Sequence, residues 1–326
     1  MSKQKANILR KALVLLFTGA ITALAGISIH TQIVSAGAEA LPNPNNPLYA
    51  RQTRNINLTF DGNGGYPAEQ MLSEIASSSL AAFPEPPTRP GYTFIGWWTT
   101  AEMTNMGQRI AAPLTVPNAN TTYWAWWVRN LTINYEVLVN VNTDDGRSHA
   151  DAIMYDEIAP LFLEAFGVEL VQVPGSPRYE PLLNNVPIIQ ETYDTRNGSN
   201  LLDIGRSSRD TIRFRFVNFQ LFTIHPIRGL ARQMHGLNGA HLGDMVVRTH
   251  SGPATPVSPH ELRYTVIHEI SHIFGAIDCV GGTKVGCIMG LYNPYREDFI
   301  WCSFCTRRIA IYLNNRVESH PELIRE

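Results

Sequence analysis

Two histidines one helical turn apart, His268 and His272, constrain this chain more than any other pair of residues. On an α-helix, positions i and i+4 project from one face about 6 Å apart along the axis, so both imidazoles can hold one metal ion. Glu269 follows the first histidine, where its carboxylate can reach a water on that metal, accept its proton and pass it to a leaving amine. Beyond His272, Gly275 can take the left-handed conformation that ends a helix and turns the chain back, and the turn delivers Asp278. Thr265-Val266-Ile267, with Ile270, Ile273 and Phe274, supply an apolar face that would fix the helix in a core. The competing reading is a buried helix whose histidines only satisfy hydrogen bonds. The glycine and the carboxylate at their offsets weigh against it.

The string His268-Glu269-x-x-His272-x-x-Gly275-x-x-Asp278, followed by Cys287-Ile288-Met289-Gly290, resembles the metzincin metallopeptidases. The resemblance implies a catalytic zinc on His268, His272 and Asp278, Glu269 as general base, and Met289 as the methionine of a Met-turn beneath the metal. Most metzincins carry histidine as third ligand; aspartate is similar to the snapalysin-type variant. Two neutral imidazoles and a carboxylate leave less positive charge at the zinc than three imidazoles would, which implies weaker acidification of the water.

All four cysteines, Cys279, Cys287, Cys302 and Cys305, lie around this motif. Their pattern resembles the archaemetzincins, in which four such cysteines hold a second, structural zinc, although the loops from Cys279 to Cys287 and from Met289 to Cys302 depart from the family's usual lengths. Two disulfides are the competing reading for an exported chain, and a Cys-Ile-Met turn with flanking cysteines also resembles adamalysin-type metzincins. Either arrangement would tie the turn to the C-terminal helix.

The N-terminus has the layout of an export signal: Lys3, Lys5, Arg10 and Lys11, an apolar run from Ala12 to Ile29, and small residues at Ala36-Gly37-Ala38. Gly19, Gly26, Thr18, Thr22 and Ser28 dilute the run and favour cleavage over a retained anchor. Residues 1–38 are therefore expected to be a signal peptide. The remainder is expected to be secreted, extracellular or associated with the cell surface, with no stable membrane span. A formal net charge of −2 without long basic or acidic runs gives nucleic acid no footing. Residues 39–54, rich in Pro and Asn, read as a linker.

Residues 55–130 differ in character. An alternating run Ile56-Asn57-Leu58-Thr59-Phe60 enters a Gly-rich turn at Asp61–Gly65, a short helix is expected over Ala68–Ser79, and aromatic strands follow at Gly91–Trp98 and Thr122–Trp127. The order TFDGNGG, RPGYTFIGWW, TTYWAWW resembles the internalin-type B repeat, also called the Listeria-Bacteroides repeat, which implies a small β-grasp-like, β-rich module. Alternation sends roughly half of Tyr92, Phe94, Trp97, Trp98, Trp124, Trp126 and Trp127 to the small core and half outward; core packing is the preferred reading of these aromatics, and a docking face for a cell-surface protein or carbohydrate, built from the outward tryptophans, is the competing one.

Residues 131–326 read as the zinc peptidase domain, in α+β order: strands at Leu131–Val141 and Val168–Val173 with a helix over Ala150–Phe166 between them, strands at Ile212–Thr223 and Asp244–Thr249, the zinc helix, the Met-turn and a closing helix at Phe304–Leu313. In metzincins the strand before the zinc helix is an exposed antiparallel edge, which implies that Met245–Thr249 pairs with an extended protein or peptide substrate. His225, His235, His241, His250 and His260 have no paired helical spacing, and Tyr292 stands off the offset of the tyrosine that relatives use. The expected function is zinc-dependent hydrolysis of peptide bonds. The alternative is a secreted adhesion or ligand-binding protein with a vestigial or self-processing zinc site.

Overall fold

Alternation builds the first sheet. In β1 (Asn55–Asp61) every second residue, Ile56, Leu58 and Phe60, is fully buried, as in a strand with one face on a core. Asn63 and Gly64, both at positive φ, reverse the chain. Glu69–Ile75 returns as β2, antiparallel to β1, with Asp61 opposite Glu69 and Asn55 opposite Ile75. The helix expected over 68–79 is therefore a strand. The reversal lays the segment along an unpaired edge whose backbone groups satisfy its own, and local helix propensity does not outweigh that ladder. β3 (Tyr92–Trp98) and β4 (Thr121–Arg129) complete the order β2-β1-β4-β3, with β4 parallel to β1 and antiparallel to β3.

One irregularity decides which aromatics face where. The register of β3 on β4 shifts between Phe94 and Trp97, around Gly96 at φ 117°, where a Cβ would lie 2.6 Å from the Arg109 side chain. The bulge puts Phe94 and Trp97 on one face, against Phe60, Tyr123 and Trp127. Ile95 and Trp98 go to the other, with Trp126 and Val128. Trp98 and Trp126 stack with ring centroids 3.8 Å apart and planes 8° from parallel.

The computed structural model describes residues 54–139, 152–179, 211–217, 229–232, 243–248, 250–252, 255–279, 286–290 and 301–325; the expected signal and most of the linker lie outside them. Within the unit Ala50–Glu326, β5 (Leu131–Val139) leads straight from the first sheet into a second. A π-helical turn (Ile153–Ile158) runs into α1 (Ala159–Phe166), then β6 (Val168–Gln172), β7 (Thr211–Val217), β8 (Gly229–Arg232) and β9 (Gly243–Arg248). Their order is β8-β9-β7-β5-β6, all parallel except β8, which runs antiparallel to β9. β9 is thus interior, flanked by β7 and β8, so that among the described strands of this sheet the antiparallel edge expected at Met245–Thr249 is instead β8. β8 lies only ten residues upstream of β9 and pairs back on it antiparallel, from Arg232 opposite Asp244 to Gly229 opposite Val247, and the local pattern of Asp244–Arg248 alone does not encode a partner on each side.

Two further helices, α2 (Pro259–Ile273) and α3 (Ser303–Ser319), share one core with both sheets. Phe162 and Phe166 of α1 meet Phe274 and Trp301 edge-on. α3 lies against β4: Asn314 accepts from the Arg129 amide at 3.1 Å and donates to the Trp127 carbonyl at 3.0 Å. Arg325 donates to the Asn130 carbonyl, and Leu131 to that of Gly167. The second face of the repeat's sheet is thereby covered by the rest of the chain. Trp97, Trp98, Trp126 and Trp127 are buried and Trp124 half-buried, so the aromatics expected to face outward form no exposed platform. Among the described residues no helix is long and apolar enough to cross a membrane.

Because Trp126 belongs to the shared core, Trp126→Ala should cost about 3–5 kcal/mol and lower the denaturation midpoint of the whole unit in one transition. Unfolding of the repeat alone, with α2 and α3 unmoved, would contradict a common core.

Candidate metal centre

Local signals start and stop α2 where the site needs it. Ser258 caps the helix by accepting from the Glu261 amide at 3.1 Å, and Pro259 opens the first turn. Leu262, Val266, Ile267, Ile270 and Ile273 are buried, while Thr265 and Ser271 donate to the carbonyls of Glu261 and Ile267. The helix ends in a Schellman turn: Gly275, at φ 89°, donates to His272 and Ala276 donates to Ser271. Arg308 of α3 holds the Gly275 carbonyl at 2.8 Å. The turn also aims the Ala276 carbonyl at His272 Nδ1, 3.0 Å away.

A second turn meets the first histidine. Residues Cys287–Gly290 close through a Gly290-to-Cys287 hydrogen bond, with Ile288 and Met289 buried. The Ile288 carbonyl lies 2.9 Å from His268 Nδ1, and the Met289 carbonyl accepts from the Cys279 amide at 2.7 Å, next to Asp278. A carbonyl only accepts, so in each ring Nδ1 carries a proton and Nε2 is the atom turned inward. Nε2 of His268 and Nε2 of His272 are 3.1 Å apart, and Asp278 Oδ1 lies 3.2 and 3.4 Å from them. Ligands on a tetrahedral zinc at about 2.0–2.1 Å sit roughly 3.3 Å from one another, so these three atoms fit one ion.

The electrostatics agree. Hydrogen bonding to His268 is the main cause that holds Asp278 below the usual carboxylate range. Burial works to lower His268, but the Asp278 hydrogen bond, the Glu269 charge and the Ile288 carbonyl together raise it; His272 is lowered, by burial first and then by His268. Glu269 is buried beside them, and burial pushes its carboxyl up to about 7 against the pull of His268 and of a backbone hydrogen bond from Ala231 on β8. A buried carboxyl next to a metal-fitting triangle stands where it could accept and return a proton.

The four cysteines converge on one point. Cys279 Sγ lies 3.6, 3.7 and 3.4 Å from those of Cys287, Cys302 and Cys305, and Cys287 Sγ lies 3.6 Å from Cys305. Sulfurs on a tetrahedral zinc at about 2.3 Å are separated by roughly 3.8 Å. No two of them are joined by a disulfide in the structure, and their mutual spacing suits a four-sulfur metal site. Burial pushes the Cys279 thiol up to about 12, whereas hydrogen bonds from Cys287 and Cys305 hold Cys302 below its ordinary range. Ionising all four this close together requires a cation among them.

The structure thus brings His268, Glu269, His272 and Asp278 into one site and Cys279, Cys287, Cys302 and Cys305 into another, with Met289 in the turn between them. His225, His235, His241, Tyr292 and the side chain of His250 lie outside the described residues, and His260 belongs to neither metal-fitting group. Sequence reasoning missed three contributors. Tyr264 stands one turn before His268, Ala231 reaches Glu269 from the edge strand, and Trp301 donates to Ser271 at 2.8 Å, tying the start of α3 to α2. Of these only Tyr264 had a local signal, the same i, i+4 spacing that pairs the histidines.

Residues 57–125 match the Listeria-Bacteroides repeat domain (List_Bact_rpt). No curated protein matches the chain. Among solved structures it is similar to an archaemetzincin from Methanopyrus kandleri, at 16% identity over 56% of this chain and 96% of that one with a TM-score of 0.37. It is also similar to metalloproteinase-II from Bacteroides fragilis, at 14% identity over 56% and 53% with a TM-score of 0.36.

The cluster geometry makes a simple demand of the purified, unreduced protein. After denaturation with a chelator, thiol titration should find all four cysteines reactive; no reactive thiols would mean disulfides and would contradict it.

Proposed function

We propose that this chain is a zinc-dependent endopeptidase, exported from the cell, with its catalytic zinc on His268, His272 and Asp278 and a second, structural zinc on Cys279, Cys287, Cys302 and Cys305. The observation that carries the reading is the triangle of Nε2, Nε2 and Oδ1 atoms at 3.1–3.4 Å with the buried carboxyl of Glu269 beside it. When bound, zinc supplies a Lewis acid that polarises a water and the scissile carbonyl.

The chain's own groups do the rest. Glu269 accepts the proton of the attacking water and returns it to the leaving amine. Ile288 and Ala276 hold the two Nδ1 protons and so keep both Nε2 atoms available. An extended peptide would pair with β8, the antiparallel edge whose Ala231 already touches Glu269. Such pairing reads backbone and not sequence, so the substrate class is protein or peptide. Export rests on the basic, apolar and small-residue layout of residues 1–38. The adhesion reading would have used the repeat's tryptophans, and those are buried or half-buried.

Glu269→Ala should retain metal and lose about 10²–10⁴-fold in kcat on an unstructured protein substrate; undiminished turnover would overturn the assignment of the base. Asp278→His replaces an anionic ligand with a neutral one, so the acidic limb of its kcat/KM profile should move to lower pH. A limb that stays or moves up would contradict the charge argument.

A further inference from the structure

We infer that Tyr264 is a positioning residue for the metal site, a role that rests on the peptidase reading. Its ring is buried on α2 one turn before His268 and lies nearly parallel to that imidazole, 24° between planes with centroids 6.1 Å apart. Its hydroxyl donates to the Ile288 carbonyl at 2.8 Å and is 3.2 Å from that of Gly290. Ile288 O is the same oxygen that receives His268 Nδ1–H at 2.9 Å. One carbonyl with two lone pairs therefore takes one donor from each of two successive turns of α2.

The consequence is geometric. The Cys287–Gly290 turn touches both ends of the ligand set, His268 through Ile288 and the Asp278-Cys279 segment through the Met289 carbonyl. It is part of neither helix, and the segments on each side of it, 280–285 and 291–300, lie outside the described residues. The Tyr264 hydroxyl fastens both the second and the fourth residue of that turn to α2 and so fixes its height against the histidines. At that height Ile288 O faces Nδ1, the Nδ1–H tautomer is selected, and the metal-facing Nε2 keeps its lone pair. Removing the hydroxyl takes away one of the two α2 side-chain donors on Ile288 O and leaves His268 Nδ1–H as the other.

The test uses the full chain and Tyr264→Phe, which keeps the ring and its packing. Zinc affinity is read by chelator competition, separately for the His268/His272/Asp278 and four-cysteine sites, together with kcat and KM. The role requires about 10–100-fold weaker binding at the histidine site, a clearly smaller loss at the four-cysteine site, and a fall in kcat with KM held. Equal affinity in wild type and variant would overturn the role and leave the peptidase reading standing. Equal weakening of both sites would show a general loss of packing and overturn it too. Wild type that binds no metal at His268, His272 and Asp278 would sink both. Nitrogen-15 spectra of the metal-free wild type give a check independent of the variant: His268 is expected as the Nδ1–H tautomer, and the Nε2–H form would refute the proposal.

Discussion

The reversal at Gly275 is the constraint on which the site depends. A helix places two ligands by its own periodicity, but it cannot place a third at tetrahedral distance on the same side, because its next residue on that face is a further turn away. Ending α2 in a left-handed glycine solves this. The two Schellman hydrogen bonds fold the chain back so that the Ala276 carbonyl meets His272 and Asp278 arrives 3.2–3.4 Å from both Nε2 atoms. A side chain at Gly275 would oppose φ 89°. Cys279 then follows at once, so one short segment serves both metal-fitting groups, and the stiffness of either is felt by the other.

The second dependence is on packing across the length of the unit. A four-stranded sheet with one covered face is marginal unless the other is polar or also covered. Here the bulge at Gly96 sends Ile95 and Trp98 to the far face, and Trp126 and Val128 join them in the core that also contains α1, α2 and α3. The repeat-like sheet is built into the structure that supports the metal centre. α3, which carries Cys302 and Cys305 at its start, rests on β4 through Asn314.

What was legible in the sequence was what is local. His268, His272, Gly275 and Asp278 are positioned by helix period and helix termination, which act over a few residues, and the structure brings them together as the spacing implies. The strands at 55–61, 92–98 and 121–129 follow from alternation and aromatic content. Three outcomes were not legible, because each is set by a pairing or packing partner that the segment's own pattern does not specify. Glu69–Ile75 becomes a strand because β1 offers it an edge. β9 is interior because β8 pairs with it. Trp98 and Trp126, on the face away from the module's own core, are covered by helices far along the chain. The cysteines sat between these cases: four residues near one turn could be tied by metal or by disulfides, and their convergence at 3.4–3.7 Å is a feature of the folded chain that their spacing does not encode.

The central claim is that two metal ions sit in this chain, one of them on two imidazoles and a carboxylate next to Glu269. Anomalous diffraction at the zinc edge from crystals of the purified protein tests it most directly. Two peaks are expected, one at about 2.0–2.2 Å from His268 Nε2, His272 Nε2 and Asp278, and one at about 2.3 Å from the four sulfurs. Density showing no metal among His268, His272 and Asp278, in protein purified without chelator, would contradict the account.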